Sequence, residues 1–127
     1  MTLQPQAKRS LLIASLLLFL GVVIGAFGAH GLKAMVSPEK LVTFETGVRY
    51  HFYHAIGIFL VGLLQQMTPA LSLSLVRSAF LAGILLFSGN CYLYATTGMK
   101  VFAMIVPIGG GLFLLGWGYL SYRIIKN

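Results

Sequence analysis

Long runs of apolar residues without a single charge are the feature that most constrains this chain. Three such runs cover Leu11–Ala29, Ser78–Met99 and Val101–Tyr122. Since crossing ~30 Å of hydrocarbon takes about 20 helical residues, each run is long enough to span a bilayer. A fourth run, Phe52–Met67, is shorter and needs residues from the polar stretch before it. Because the runs do not alternate between apolar and polar residues, they indicate helices rather than β-barrel strands.

The composition also indicates that lipid surrounds most of the chain. Charged residues make up 9% of it and apolar residues 58%, whereas soluble domains carry about 25% charged residues. We therefore predict an all-α polytopic membrane protein, one domain over residues 1–127, with four transmembrane helices in a small bundle. Polar interfacial turns should extend the start of helix 2, and Pro107 should kink helix 4. The expected helices cover about residues 10–30, 38–67, 72–96 and 101–125.

The net charge of +7 predicts membrane topology rather than nucleic-acid binding, because the cations flank the apolar runs. Four spans place both termini on one side, where five of the cations lie: Lys8, Arg9, Arg77, Arg123 and Lys126. The other side has four: Lys33, Lys40, Arg49 and Lys100. Positive loops stay inside, so we expect both termini in the cytoplasm. A single cysteine, Cys91, predicts no internal disulfide and no cysteine-based metal cluster.

The segment Glu45–His54 is where we expect any functional site to begin. It contains one of only two acids and two of the three histidines, and it leads directly into an apolar run. Ionisable groups at the edge of a span are costly and usually have a role. Glu45 and Arg49 share a helix face and predict a structural ion pair. The candidate polar cluster comprises His30, Glu45, Thr46, Arg49, Tyr50 and His54.

Three histidines could converge in this region, because helix 1 leaves the membrane where helix 2 enters it. His51 and His54 are three residues apart, and His30 ends helix 1. The alternatives are hydrogen bonds to neighbouring helices, a proton or ion relay, and a metal site. Zinc or copper would need three or four ligands in a defined geometry. The HxxH spacing alone does not supply them, so we predict no metal and no cofactor.

Small and polar residues inside the apolar runs predict how the helices pack. Lipid tails are as apolar as leucine, so helices associate through close backbone contact at small residues. The alternative for the glycines that follow Pro107 is a hinge or a broken helix that lines a pathway. Asn90, in the middle of helix 3, must find a partner in hydrocarbon, and we predict an interhelical hydrogen bond. The candidate hinge or packing residues are Gly25, Gly28, Gly89, Pro107, Gly109 and Gly110.

An ordered set of short motifs resembles a known family. The motifs are Gly25-Ala-Phe-Gly-Ala-His30, Thr46-Gly-Val-Arg-Tyr50 with His54-Ala55, Phe87-Ser-Gly89 and Pro107-Ile-Gly-Gly110. They are similar to those of the YwdK/YgdD-type small bacterial membrane proteins, domain of unknown function 423, related to eukaryotic transmembrane protein 256. The resemblance covers about residues 11–122. It implies a four-helix inner-membrane protein and no particular activity. His51 lies outside the family pattern, which favours a pairing of His30 with His54.

Two functional hypotheses follow from these patterns. The first is a non-enzymatic bundle that lies in the lipid bilayer and associates with itself or with another membrane protein. Passage of a small solute or a proton is a further role within that hypothesis. The alternative is a membrane-embedded enzyme or metal-binding protein that uses His30, Tyr50 and His54. No phosphate-binding loop, zinc-protease motif or other strong catalytic signature is present, so we predict no catalytic residues.

Overall fold

The chain folds into four long helices with short connections. A computed structural model describes all residues from Met1 to Asn127. Helices α1 and α2 cover Pro5–His30 and Pro38–Met67, with a short 3₁₀ turn at Leu32–Ala34 between them. Helix α3 runs over Ser74–Thr97 and α4 over Lys100–Lys126. The predicted all-α membrane fold is therefore confirmed.

Local sequence explains where the helices begin and end. Pro5 occupies the first turn of α1, which therefore begins before the position near residue 10 that we predicted. Ser37 caps α2 through a bond from the Lys40 amide to its hydroxyl (3.4 Å). Gly98 adopts a left-handed conformation (φ 73°) between α3 and α4, which glycine tolerates without strain. Helix α3 begins at Ser74, slightly later than expected.

Three of the helices are long and apolar enough to cross a membrane. They are α1 with the following turn (Pro5–Ala34), α3 (Ser74–Thr97) and α4 (Lys100–Lys126). Helix α2 is antiparallel to α1 along most of its length, because Gly62 faces Leu11 at one end and Gly28 faces Phe44 at the other. Its thirty residues span ~45 Å, so α2 crosses the bilayer beside α1 and extends beyond it.

The four helices do not pack equally on one another. Helix α1 packs mainly on α2, and α4 packs mainly on α3. The apolar core lies where α2 and α3 meet, around Ile58, Val76 and Phe80. The backbones of α2 and α4 do not pack closely on one another, and a lateral opening lies between them.

Helix α3 contains a π-helical segment at Ile84–Ser88. Such segments are rare and often mark functional positions. Gly109 of α4 crosses here so closely that a methyl group on it would collide with the backbone nitrogen of Phe87. Helix α4 continues through Pro107 on both sides, and the predicted kink stays a prediction.

Candidate functional site

His54 is held in one protonation state by two hydrogen bonds. Its Nδ1 lies 2.8 Å from the carbonyl oxygen of Tyr50, which can only accept, so Nδ1 carries the proton. Its Nε2 accepts a hydrogen bond from the Trp117 indole N–H at 3.0 Å. Indole nitrogen can only donate, so Nε2 is unprotonated. The imidazole is therefore neutral, and it joins α2 to α4.

Aromatic rings enclose the same imidazole. The ring of Phe113 stacks on His54 with a centroid distance of 3.5 Å and an interplanar angle of 7°. Phe80 meets it edge-on at 5.3 Å, and Tyr50 lies nearly parallel to it at 6.1 Å. Only 4% of the His54 surface is exposed. An imidazole in this setting orients its neighbours rather than exchanging protons with water.

A pocket of about 750 Å³ lies beside this cluster, in the opening between α2 and α4. Small-molecule sites usually measure about 300–1,000 Å³ and are mostly apolar with a few polar groups. The space exists because Gly110 and Gly111 bring no side chains to it. The lining residues are Tyr50, Tyr53, His54, Phe87, Pro107, Gly110, Gly111, Phe113, Leu114 and Trp117.

The polar groups of this pocket are two tyrosine hydroxyls. Tyr50 and Tyr53 line it and are 38% and 55% exposed. The side chains of His54 and Trp117 satisfy one another, whereas neither tyrosine hydroxyl takes part in a hydrogen bond within the chain. The pocket thus offers aromatic walls and two free hydroxyls to a ligand.

His51 forms a second structural connection, although it lies outside the family pattern. Its Nε2 lies 2.7 Å from the carbonyl oxygen of Leu17, and its Nδ1 lies 2.9 Å from the Tyr92 hydroxyl. His51 therefore links α1, α2 and α3. Its position within an apolar face, followed by further buried residues, was the signal for such a role.

The predicted convergence of His30 with His54 is wrong. His30 is exposed at the end of α1, near the level at which Gly28 faces Phe44. His54 lies ten residues beyond Phe44, which is ~15 Å along the helix axis. His54 therefore lies deeper in the bundle than His30, and this difference in depth separates the two histidines. No three His, Cys, Asp or Glu side chains lie close enough to hold a metal ion.

Of the other residues in the predicted polar cluster, Tyr50 lines the pocket, whereas Glu45, Thr46 and Arg49 lie outside it. Arg49 donates to the Thr46 hydroxyl at 3.1 Å, and Glu45 does not pair with it. Both Glu45 and Arg49 are exposed. They line a smaller cavity of about 250 Å³ near Gly25 and Gly28. The predicted Glu45–Arg49 ion pair is therefore not formed.

Asn90 is buried as expected, but its partner differs from the predicted one. Its side-chain amide donates to the Leu86 carbonyl of its own helix at 2.7 Å. Leu86 belongs to the π-helical segment, where the regular backbone bonding is disturbed. The interhelical bond comes instead from Ser88, whose hydroxyl donates to the Gly47 carbonyl at 2.7 Å.

The candidate glycines divide into distinct roles. Gly28 and Gly109 make close helix contacts against Phe44 and the Phe87 backbone. Gly89 does not, because the nearest atom to a methyl group on it would be the Ile84 oxygen of the same helix, at 3.9 Å. The hinge or packing role predicted for Gly89 stays a prediction.

Gly25 and Gly110 make looser contacts. A methyl group on Gly25 would lie 3.5 Å from Val48, and one on Gly110 would lie 3.7 Å from Phe87. These are ordinary van der Waals distances. Gly110 therefore contributes to the pocket through its lack of a side chain, not through close packing.

These features define a helical integral membrane protein with a lateral, aromatic pocket. The family model described as "Protein of unknown function (DUF423)" matches residues 24–110. The chain belongs to this family, as the motif resemblance indicated.

Bacterial membrane proteins from several organisms are similar to this chain. The UPF0382 membrane protein YwdK of Bacillus subtilis is 36% identical over 94% of this chain and 98% of the relative. A UPF0382 membrane protein of Haemophilus influenzae is 39% identical over 86% of this chain and 87% of the relative. The UPF0382 inner membrane protein YgdD of Escherichia coli is 35% identical over 91% and 88% respectively. No solved structure matches the chain.

Proposed function

We propose that this chain is a non-enzymatic protein of the bacterial inner membrane whose lateral pocket binds a lipid-soluble molecule. The observation that carries the proposal is the cavity of about 750 Å³ between α2 and α4. Its residues belong to helices that cross the apolar part of the bilayer, so a ligand would enter from lipid. Aromatic walls and two unbonded tyrosine hydroxyls favour a mainly apolar molecule that carries a hydrogen-bonding oxygen.

The hydrogen bonds inside the bundle favour ligand binding over proton passage through a single chain. His51 bonds to Leu17 and Tyr92, whereas His54 bonds to Tyr50 and Trp117. The two imidazoles share no partner, so no chain of hydrogen bonds connects them. A relay would need such a connection.

Trp117 provides the measurement, because it is the only tryptophan in the chain and it lines the pocket. The purified protein in detergent is titrated with an alkylphenol that carries bromine on its chain, since bromine quenches indole fluorescence on contact. We expect saturable quenching. Quenching that rises linearly with probe concentration would indicate simple partitioning into the micelle and would contradict the proposal.

Two glycines of α4 give a matched pair of variants. Neither Gly111 nor Gly118 has an atom within 4 Å of the position that a Cβ would occupy, so a side chain at either position starts in open space. Only Gly111 lines the pocket. Gly111→Leu should abolish saturable quenching, and Gly118→Leu should leave it unchanged. Equal quenching in both variants would exclude the pocket as the binding site.

Self-association is a second candidate, favoured by one observation. Gly111 and Gly118 are both exposed on α4 and face open space, although small residues in membranes usually allow close helix approach. If a second copy packs here, both leucine variants should shift the protein toward monomer in cross-linking experiments. The ligand proposal, by contrast, expects an effect from Gly111→Leu alone.

We also propose that both termini lie in the cytoplasm. Five cations flank the spans on that side and four on the other, which is the direction of the positive-inside rule. Cysteine variants at Thr2 and Asn127, in a Cys91→Ser background, can be labelled with an impermeant maleimide in intact spheroplasts. Protection of both positions supports this orientation, and labelling of either one contradicts it.

A further inference from the structure

A second cavity lies beside the lateral pocket, between the first turns of α2 and of α4. Its volume is about 290 Å³. Helix α2 lines it through Val42, Thr43 and Thr46, and α4 lines it through Ala103 and Val106. On both helices these residues precede the ones that line the lateral pocket. The second cavity therefore lies nearer the end of the bundle at which α3 is joined to α4.

The lateral pocket and the second cavity are two parts of one groove. On α2, Thr46 is four residues before Tyr50, so the two residues share a helix face. On α4, Val106 lines the second cavity and is followed directly by Pro107, which lines the lateral pocket. Phe87 of α3 lines both. The groove thus runs along α2 and α4, and Phe87 lies where its two parts join.

At this junction the backbone of Phe87 is held in place, and its ring packs on residues of the lateral pocket. Gly109 of α4 crosses closely at the backbone nitrogen of Phe87. The ring centroid of Phe87 lies 4.7 Å from that of Tyr50 and 5.5 Å from that of Phe113. A partly buried side chain, rather than backbone, therefore sets the width of the junction.

The capacity for hydrogen bonds differs between the two parts of the groove. The lateral pocket offers two free tyrosine hydroxyls. In the second cavity, the Thr43 hydroxyl donates to the Glu39 carbonyl at 3.3 Å, and the Thr46 hydroxyl donates to the Val42 carbonyl at 2.9 Å. Both carbonyls belong to α2 itself, so neither threonine needs a ligand as acceptor. Tyr94 also lines this cavity, close to the end of α3 and hence to the membrane surface.

We infer that the groove binds a lipid built from an oxygen-bearing ring and a long apolar chain, with the ring in the lateral pocket and the chain in the second cavity. The inference rests on the proposed function and adds the shape of the ligand to it. The ring would stack among the aromatic side chains and share hydrogen bonds with the tyrosine hydroxyls. The chain would pass Phe87 and lie between Val42 and Ala103, held by van der Waals contacts. Long-chain phenols and quinones have this architecture.

The test is competition against para-bromophenol, a ring without a chain, whose bromine quenches Trp117 when it occupies the lateral pocket. Two competitors are compared in detergent, para-cresol and para-octylphenol. Their affinities are read from the recovery of Trp117 fluorescence. Because wild type and variants meet the same micelles, partitioning of octylphenol into detergent cancels in the ratio of their affinities.

A phenylalanine that fills the second cavity should weaken binding of the chain alone. Ala103 is exposed, and Ala103→Phe should lower the affinity for octylphenol about tenfold, or ~1.4 kcal/mol, and leave that for para-cresol unchanged. Val42→Phe, at a 60% exposed position on the opposite wall, should give the same result. Met104→Phe is the control, because Met104 is 75% exposed and lines neither part of the groove. It should leave both affinities unchanged.

Failure of the lateral pocket and failure of the second cavity give different results. Quenching by bromophenol that rises linearly in the wild type would contradict the lateral pocket as a binding site. Saturable quenching by bromophenol, with the same octylphenol affinity in wild type, Ala103→Phe and Val42→Phe, would keep the pocket and overturn the second cavity as the place of the chain. Equal losses in Ala103→Phe and Met104→Phe would overturn it too.

A tryptophan in the second cavity locates the chain directly. In the double variant Tyr94→Trp/Trp117→Phe the only indole lies at a position that lines this cavity. Octylphenol with bromine at the far end of its chain should quench this indole saturably. A linear rise with concentration would mean that the chain stays in the micelle, and would overturn the inference.

Discussion

The indole N–H of Trp117 donates to Nε2 of His54 at 3.0 Å and thereby joins α4 to α2 across the lateral pocket. Helices α2 and α4 also meet where Phe113 stacks on His54 with a centroid distance of 3.5 Å, so this bond and that stack together determine how far the helices separate. Because His54 also donates to the Tyr50 carbonyl through Nδ1, the imidazole cannot rotate without losing both partners. The width of the pocket thus depends on the contacts of His54 with Trp117 and Phe113.

Replacing Trp117 with phenylalanine should remove this bond and keep most of the aromatic contact with Phe80. Hydrogen bonds between membrane helices contribute ~0.6 kcal/mol on average and up to about 1.7 kcal/mol. We expect a loss near the upper value, because the unpaired His54 nitrogen stays buried. Unfolding in mixed micelles, followed by circular dichroism, measures it. Tyr122→Phe, at an exposed position on the same helix, is the control, and equal losses would contradict the assignment.

The helices could be predicted from the sequence, whereas the contacts between them could not. Uncharged runs such as Val101–Tyr122 must form helices in lipid, since every backbone group needs a partner within the segment. The partner of His54, however, lies 63 positions away in sequence, and nothing local to either residue encodes that distance.

The wrong prediction for His30 and His54 also concerns a contact between helices. His30 and His54 were expected to meet because α1 ends where α2 begins. That argument held only if His54 lay at the level of the end of α1. In the structure the turns around Phe44 already pack against Gly28, so the level of His54 is set by helix register. Apolar periodicity alone does not determine register between two helices that are apolar on most faces.

Gly109 and Gly118 should respond oppositely to substitution by alanine. A methyl group on Gly109 would collide with the Phe87 backbone, whereas one on Gly118 would meet nothing within 4 Å. Overpacking typically costs ~1–3 kcal/mol, and we expect Gly109→Ala to lose at least that much, because backbone atoms cannot move aside easily. Gly118→Ala should be neutral or gain up to ~1 kcal/mol of helix propensity.

The unfolding free energies of the two alanine variants, measured in the same detergent mixture, decide this prediction. A destabilised Gly118→Ala would mean that this face of α4 is covered in the folded protein, as a second copy would cover it. A tolerated Gly109→Ala would mean that α3 and α4 do not cross at this point.

Removing Glu45 should have little effect on stability. Arg49 donates to Thr46 rather than to Glu45, and both charged residues are exposed. We expect Glu45→Gln to change the free energy of unfolding by less than ~0.5 kcal/mol, which is usual for surface substitutions. A double-mutant cycle with Arg49→Gln should give no coupling beyond error. Coupling of about 1 kcal/mol would restore the ion pair that the sequence suggested.

His51 and Tyr92 should be coupled, because their side chains form the hydrogen bond that ties α2 to α3 (2.9 Å). Tyr92→Phe removes the hydroxyl and keeps the ring against Phe44, whose centroid lies 5.1 Å away. We expect a loss of about 1 kcal/mol, within the range found for such bonds in membranes.

His51→Phe should cost more, since the Leu17 carbonyl also loses its side-chain donor. The double variant should then be less destabilised than the sum of the two single ones. Tyr94→Phe serves as the control, because the Tyr94 hydroxyl has no bond to lose; strict additivity at His51 and Tyr92 would show that the bond contributes nothing to the packing of α2 on α3.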